Sequence, residues 1–432
     1  MKTGTSNGRR AVLIDGCRIP FLRSNTGYHD QTSYDLGRLA LKALLDRTRM
    51  PPDKIDQVIM GTVISNMATS NVARESALAA GIPHTVPAST VTLACISANL
   101  AVTTGVNLIR TGQADIIVAG GAESCSDIPI RYRRRFRNKL VESRKYRHFY
   151  DYWKFFKGLR LADFLPEIPS ITEFSTGRIM GQDCDRLAAR LGVTRREQDV
   201  FAVRSHLEAA RATREGLLAE EVEPVRVPPD FSPIDQDNGI RRDTSLEKMQ
   251  LLSPAFAKPF GTVTAGNASF LSDGAAALLI MADDAAAAMG FKPKAFIHSF
   301  AYSAQDPDEE LLLGPAYAIP MVLDRAGLKL SDMDVFEFHE AFAGQVLANL
   351  KCLDSGEFAR EKLGKSDKIG EIPMEKLNTL GGSLSLGHPF GATGARLITT
   401  AANRLRREDG QFALIASCAA GAHGNAMILE RY

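Results

Sequence analysis

The chain has 432 residues, 45% of them hydrophobic and 24% charged, and 52 Lys and Arg against 50 Asp and Glu give a formal charge of +2. This length predicts several domains or a duplicated unit, and the near-neutral charge argues against a protein that coats nucleic acid. No run of about eighteen apolar residues occurs, which excludes a membrane-spanning helix. Six scattered cysteines without a Cys-x-x-Cys pair argue against a disulfide scaffold or zinc cluster and favour a reducing compartment.

Strand and helix patterns alternate along the first 120 residues. The predicted elements are a strand at 10–15, a helix at 34–47, a strand at 56–60, a β-rich run at 91–94, a helix at 99–110 and a strand at 114–119 that ends in Gly120-Gly121. Such alternation predicts an α/β fold with a largely buried sheet.

The same order of elements recurs in the C-terminal third. Leu45-Asp46-Arg47 and Asp56 reappear as Leu323-Asp324-Arg325 and Asp334 at one constant offset, each as a helix end followed by a strand. Gly-Gln before a strand also occurs twice. The sequence therefore predicts an internal duplication.

The predicted halves are separated by an insert, which we expect to be a loop domain at about 126–252. Residues 1–125, completed by about 253–285, would form the N-terminal half, and 286–432 the C-terminal half. Within the insert, residues 131–160 carry twelve Lys or Arg, two acidic residues and nine aromatic residues. This basic aromatic segment suits an amphipathic helix on anionic lipid or a docking surface for a partner protein. No nucleic-acid-binding fold accompanies it, so we expect no nucleic acid as partner.

Cys95 is the first candidate for chemistry. It stands where a predicted strand ends and a helix begins, and the positive end of a helix lowers the pKa of a thiol. A substrate could approach the backbone here, because the neighbouring side chains are small: Ala94, Ser97 and Ala98. The alternative is a buried cysteine that only packs, which is common for a single cysteine.

Two further motifs combine small residues with a reactive side chain. His388 lies in a glycine-rich stretch, 381–394, just before a predicted helix, where it could serve a thiol as base or ion-pair partner. Cys418 ends what reads as the last strand and is followed by small residues whose N–H groups could stabilise an oxyanion. An incidental histidine in a connector and another buried cysteine are the respective alternatives.

Two polar stretches complete the candidates. His339 and Glu340 follow a strand at 335–338, but His-Glu without a second spaced histidine is a weak metal signal, so no metal site is predicted. Residues 261–269, Gly-Thr-Val-Thr-Ala-Gly-Asn-Ala-Ser, are small and polar and suit backbone contacts with a slender ligand.

Together these motifs resemble those of the thiolase superfamily, in the family's order and over nearly the whole chain. The forms His-Glu-Ala-Phe and Gly-Gly-Ser-Leu-Ser-Leu-Gly-His-Pro look most like the β-subunits of fatty-acid oxidation trifunctional enzymes. The resemblance implies a thiolase fold: duplicated βαβαβαββ halves in five layers (αβαβα) with an inserted loop domain. It also implies a 3-ketoacyl-CoA thiolase, an acetyl-CoA C-acyltransferase, with coenzyme A as co-substrate and no permanently bound cofactor.

The resemblance implies a role for each motif. Cys95 would attack the keto carbon, His388 would activate Cys95, and Cys418 would act as the second acid and base. His339 would complete a first oxyanion site with His388 through a water molecule. The residues implied for the backbone oxyanion site are Cys95 and Ala420, and those implied for CoA binding are Ser269 and Ala265. The closing turn is Cys-Ala-Ala-Gly rather than the frequent Cys-x-Gly-Gly, but Ala420 still offers its N–H.

Other functions stay open from the sequence. A biosynthetic acetyl-CoA acetyltransferase uses the same reversible chemistry, and a non-catalytic lipid carrier or scaffold uses the same fold. The resemblance implies a homodimer within a heterotetramer with a hydratase/dehydrogenase α-subunit, and peripheral membrane contact through 131–160. Residues 1–10 show no secretory signal or long Arg- and Ser-rich transit peptide, so we expect bacterial cytoplasm, with the mitochondrial matrix or inner-membrane surface as alternatives.

Overall fold

The computed structural model describes residues 9–167 and 172–432, so residues 1–8, on which the expected compartment partly depends, lie outside the described residues. The strands are β1 Ala11–Arg18, β2 Leu22–Arg23, β3 Gln57–Gly61, β4 Ala88–Val91, β5 Ile116–Glu123, β6 Arg131–Tyr132, β7 Pro166–Glu167, β8 Val225–Arg226, β9 Pro233–Ile234, β10 Ser272–Ala282, β11 Ala295–Ala304, β12 Val335–Phe338, β13 Phe412–Ala419 and β14 His423–Arg431. The helices are α1 Ser33–Thr48, α2 Val72–Ala79, α3 Ser97–Arg110, α4 Arg134–Ser143, α5 Tyr152–Phe156, α6 Met180–Arg190, α7 Arg195–Arg214, α8 Leu246–Gln250, α9 Asp283–Ala288, α10 Gly314–Ala326, α11 Ala343–Leu353, α12 Gly356–Leu363, α13 Ser383–Leu386 and α14 Thr393–Arg407.

A mixed sheet contains two copies of one strand arrangement. Its order is β12-β13-β14-β11-β1-β10-β5-β3-β4, with β2 beside β10. Outward from the centre, one copy runs β1, β10, β5 and β3, and the other runs β11, β14, β13 and β12. Neighbouring strands within each of these sets are antiparallel, except that β5 and β3 are parallel, as are β13 and β12. Both central strands carry a register irregularity, between Leu13 and Asp15 in β1 and between Ile297 and Ser299 in β11. The duplication predicted from sequence is present in the strand pairing.

The repeated aspartates explain one of the repeated sequence signals. Oδ2 of Asp56 accepts hydrogen bonds from the backbone N–H groups of Asp115 and Ile116 at 2.7 and 2.8 Å. Oδ2 of Asp334 accepts from Gln411 and Phe412 at 2.7 and 3.2 Å. Each aspartate thus precedes one strand of a parallel pair and satisfies N–H groups at the start of the other.

Alternate strand residues separate the core into layers. Leu13, Ile117 and Ile415 pack in one cluster with the apolar sides of α3 and α14, which therefore lie between the two half-sheets. Val118 belongs to a cluster that includes α1 and α2, and Ile428 to one that includes α10 and α11. The result is helix, sheet, helix, sheet, helix, which is the predicted five-layer fold.

Two predicted strand ends are wrong, for reasons of close packing. The strand at 114–119 was expected to end at Gly120, but β5 continues to Glu123, because glycine permits the pairing: a Cβ on Gly120 would lie 2.1 Å from the carbonyl oxygen of Ala276. Cys418 does not end the last strand. It lies within β13, and the chain turns through Gly421, at φ 77°, into β14.

The segment Ile128–Ile171 forms a compact unit of its own. Two helices, α4 and α5, occur within residues 131–160, and contact of this segment with lipid or with a partner protein stays a prediction. The chain reverses between them because the Phe136 ring packs against Phe155 and Phe164, with centroids 5.7 and 4.9 Å apart. The predicted boundaries of the halves and of the insert stay a prediction.

Among the described residues, no helix combines the length and apolar character needed to cross a membrane.

Candidate active site

Cys95 lies in a tight turn between β4 and α3. The strand β4 ends at Val91, the first residue of the β-rich run predicted at 91–94, and Ala94 takes the left-handed φ of 45°. Ser97 stabilises this turn, since its Oγ accepts from the Leu93 N–H at 2.8 Å and donates to the Ala94 carbonyl at 2.7 Å. These bonds offset the cost of the left-handed residue. Cys95 is left half-buried at the start of α3.

The Cys95 thiol is neutral at rest. Burial raises its pKa to about 11, although the backbone N–H groups of Ala420 and of Cys95 itself bond to the sulfur and oppose that rise. The expectation that the N-terminus of α3 makes Cys95 a thiolate is therefore wrong, because loss of water outweighs the helix terminus here. The two N–H groups that meet at the sulfur are those expected to form the backbone oxyanion site.

His388 is held with one ring nitrogen free. Its Nδ1 lies 2.6 Å from Oγ1 of Thr393, and Thr393 gives its own hydrogen to the Pro389 carbonyl at 2.9 Å. The Thr393 oxygen must therefore accept from Nδ1–H of His388, which leaves the lone pair on Nε2. That Nε2 is buried, and the described residues offer it no hydrogen-bond partner. Burial, then the charge of Arg396, lowers the pKa of His388 to about 3, so the ring is a neutral base.

His339 is the second imidazole of the site. Its ring centroid is 4.0 Å from that of His388, and its Nδ1 lies 3.0 Å from Oγ of Ser383. The Nε2 atom is buried and has no partner among the described residues. Burial, then His388 and Arg396, lowers the pKa of His339 well below its usual value. It is neutral as well.

Cys418 brings a second thiol to the same place. It is buried in β13, and the turn that follows is tied by the Gly421 N–H, which donates to Oε2 of Glu173 at 2.7 Å. Burial and then the nearby Cys95 raise the pKa of Cys418, which is therefore protonated at rest.

The structure brings the candidate residues together. The Cys95 sulfur and one ring nitrogen each of His339 and His388 all lie within 4.8 Å of one another. The stretch that contains Ser269 runs beside both histidine motifs, since the Ser269 N–H donates to the Ala341 carbonyl at 2.9 Å and Leu271 pairs with His388. Ser269 is half-buried and Ala265 is exposed. That no metal resides at the site stays a prediction.

The sequence interpretation missed several residues that hold the site, among them Ser97, Ser383, Thr393, Arg396 and Glu123. The fully buried Glu123 carboxylate accepts from the Val63 and Ile64 N–H groups, both at 3.0 Å, and from Gly391 at 2.9 Å, which joins a loop after β3 to the His388 loop. Burial raises the pKa of Glu123 to about 7. A carboxylate at the end of an apolar strand was the signal that could have identified it.

The chain matches two family descriptions, "Thiolase, N-terminal domain" over residues 11–284 and "Thiolase, C-terminal domain" over residues 291–431. It is 54% identical over 426 residues to the mitochondrial trifunctional enzyme subunit beta of Bos taurus, a match that spans 99% of this chain and 89% of that protein. It is 44% identical to a 3-ketoacyl-CoA thiolase of Yersinia pestis, over 99% of this chain and 98% of that protein. The fold superposes on human mitochondrial 3-ketoacyl-CoA thiolase in complex with CoA with a TM-score of 0.83 and 31% identity, over 98% of each chain.

These matches and the duplicated five-layer fold confirm the resemblance predicted from the motifs. The chain belongs to the thiolase family.

Proposed function

We propose that the protein is a 3-ketoacyl-CoA thiolase of fatty-acid β-oxidation, an acyltransferase that cleaves 3-ketoacyl-CoA with CoA. The observation that carries the proposal is the convergence of Cys95 with two neutral imidazoles, His339 and His388, and with a second thiol, Cys418. This set supplies the nucleophile, the base and the second acid that the reaction needs.

The first half-reaction transfers the acyl group to Cys95. Nε2 of His388 takes the Cys95 proton, and the thiolate attacks the keto carbon. The bond between that carbon and the α carbon breaks, which leaves the acyl group on the sulfur and an acetyl-CoA enolate. The Cys418 thiol gives its proton to the enolate carbon, and acetyl-CoA leaves.

The second half-reaction returns every proton. The Cys418 thiolate takes the proton of an incoming CoA thiol, and the CoA sulfur attacks the acyl group on Cys95. The shortened acyl-CoA leaves, and His388 gives its proton back to Cys95. No other reactant is required, and the enzyme ends as it began.

Two groups of donors stabilise the oxyanions. The N–H groups of Cys95 and Ala420, which converge on the Cys95 sulfur, are placed to bind the oxygen of the acyl-enzyme thioester. His388, once protonated, and His339 serve the oxygen of the enolate. Removal of one such donor typically lowers kcat by about 10²–10³-fold.

We assign CoA as co-substrate and no permanent cofactor. The stretch 265–271 pairs with the residues after His339 through Ser269 and with His388 through Leu271, which supports contacts of Ser269 and Ala265 with the pantetheine arm of CoA. The relative whose structure contains CoA supports the same assignment.

The α-subunit and oligomer are also part of the proposal. The name of the Bos taurus relative marks it as one subunit of a larger enzyme, which supports an α-subunit partner. We propose that this partner is a hydratase/dehydrogenase and that the chain forms a homodimer within a heterotetramer. We place the complex in the bacterial cytoplasm, with the mitochondrial matrix or inner-membrane surface as alternatives. Six free cysteines are compatible with any of these reducing compartments.

The basic aromatic segment 131–160 is proposed to contact anionic membrane lipid. Phe149 and Trp153 are 87% and 77% exposed, beside twelve basic residues in the segment. Exposed aromatic and basic side chains together favour an anionic membrane surface. Phe149→Ser with Trp153→Ser should abolish sedimentation with phosphatidylserine vesicles and leave thiolysis unchanged. Unchanged sedimentation, or a smaller complex with the α-subunit instead, would overturn the lipid assignment.

The function is tested by the CoA-dependent loss of 3-ketoacyl-CoA with four-carbon and sixteen-carbon substrates. We expect cleavage of the long substrate, abolished by Cys95→Ser and retained by Cys352→Ser, a buried cysteine outside the site. Turnover of the short substrate alone would favour the biosynthetic acetyltransferase. Absence of turnover in the assembled complex would favour a carrier or scaffold.

A further inference from the structure

Ser383 connects a buried cation to a catalytic histidine. Its Oγ lies 3.1 Å from Nη2 of Arg396 and 3.0 Å from Nδ1 of His339. All three side chains are fully buried. Because water does not reach the Ser383 hydroxyl, the acceptor of its hydrogen must be a protein atom.

The arrangement determines where the hydrogens lie. A guanidinium only donates, so Ser383 Oγ accepts from Arg396 through one lone pair. Among the described residues, the other polar partner of that hydroxyl is Nδ1 of His339. If Nδ1 carried the imidazole proton, the hydroxyl hydrogen would be buried without an acceptor, which is unfavourable. If Nδ1 carries the lone pair, the hydroxyl donates to it and both groups are satisfied.

We propose that Ser383, oriented by Arg396, is a positioning residue that holds His339 in the tautomer with its proton on Nε2. His339 is then a hydrogen-bond donor in the site, whereas Thr393 holds His388 with its lone pair on Nε2. The inference rests on the proposed function for its catalytic consequence: one imidazole acts as base while its neighbour, 4.0 Å away, acts as oxyanion donor.

Arg396 contributes charge as well as orientation. Its Nη1 is 3.6 Å from Oε2 of Glu337, and both side chains are fully buried. Burial is the main cause of the lowered pKa of His339, and His388 and the positive charge of Arg396 add to it, so the ring stays in its neutral form. A tautomer is defined only in that neutral form.

The experiment is ¹⁵N NMR of enzyme labelled at histidine, with the His339 signals assigned by their loss in His339→Asn. Wild-type enzyme should show His339 protonated at Nε2, and Ser383→Ala should show a mixture of tautomers. The same variant should lower kcat by about tenfold or more with little change in KM, as expected for a weakened oxyanion donor. Ser385→Ala, which removes another buried hydroxyl from α13 without a histidine contact, should do neither.

Wild-type His339 protonated at Nδ1, or an unchanged tautomer in Ser383→Ala, would overturn the proposal. The wild-type spectrum decides even if the variant does not fold, and Ser383→Thr should restore the tautomer because it restores the hydroxyl. Because the spectrum requires no turnover, an inactive protein with His339 protonated at Nε2 would overturn the proposed function and leave this inference standing.

Discussion

His339 and His388 lie with their ring centroids 4.0 Å apart, and Nε2 of each ring is buried with no hydrogen-bond partner in the described part of the chain. Two imidazolium ions at that distance would repel, which adds to the effect of burial and keeps both rings neutral. Next to them, Cys95 and Cys418 have raised pKa values and stay protonated. In the resting site, the two imidazoles and the two thiols are therefore all uncharged. Proton transfer between them is expected only when a substrate is bound.

Thr393→Val should lower kcat by about 10–100-fold and change KM little, because Nδ1–H of His388 loses its acceptor and the base loses its orientation. Steady-state kinetics and a melting curve would measure this. Thr399→Val is the matched control, since Thr399 also bonds a carbonyl in α14 but does not contact a histidine. Equal losses in both variants would assign the effect to the helix rather than to His388.

The decline of kcat at low pH should result from protonation of Glu123. Burial raises the pKa of its carboxyl to about 7, so the carboxylate that binds the Val63, Ile64 and Gly391 N–H groups is lost as pH falls through about 7. We therefore expect kcat to decline with a midpoint near pH 7. His388, with a pKa of about 3, stays a neutral base across this range.

Glu123→Gln tests that assignment. An amide has one acceptor oxygen, so the variant should be slower at every pH and show no midpoint near 7. Asp273→Asn, at another buried carboxyl, should retain the midpoint. Persistence of the decline at low pH in Glu123→Gln would contradict the prediction.

Cys418→Ala should separate acylation from proton transfer. Cys95 should still accept an acyl group, detected as a mass increase on the intact protein, because the base and the N–H of residue 420 remain. Exchange of the acetyl-CoA methyl hydrogens in D₂O should fall by at least about 10²-fold, since the acid at the carbon is gone. Wild-type exchange in the variant would show that another group moves this proton.

Asp56→Ala and Asp334→Ala should destabilise the protein by similar amounts, about 1–3 kcal/mol each, because each removes one acceptor from two backbone N–H groups. Denaturant unfolding would measure both. As the two sites lie in different halves, the double variant should show their sum. A loss in only one variant would contradict an equivalent role of the repeated aspartates.

The fold was predictable where local pattern and duplication coincide. The repeated Asp56 and Asp334 mark the same position in two halves, and the strand predicted at 335–338 is β12. The strand through Gly120 and Gly121 was not predictable, because Gly120 permits close contact with β10 and Gly121 permits close contact with Gly391, and neither forms a turn. The reversal between α4 and α5 was missed because it depends on ring contacts made by Phe136.

The candidates for the reacting groups, their order along the chain and the family came from the sequence alone, since Cys95, His388 and Cys418 each stand in a motif of small residues. Their protonation was decided only by the tertiary structure. Burial and the Ala420 N–H beside Cys95 come from distant parts of the chain, as does the Arg396 charge that acts on His339. A pKa or a tautomer depends on what surrounds a group in space, and local sequence does not contain that information.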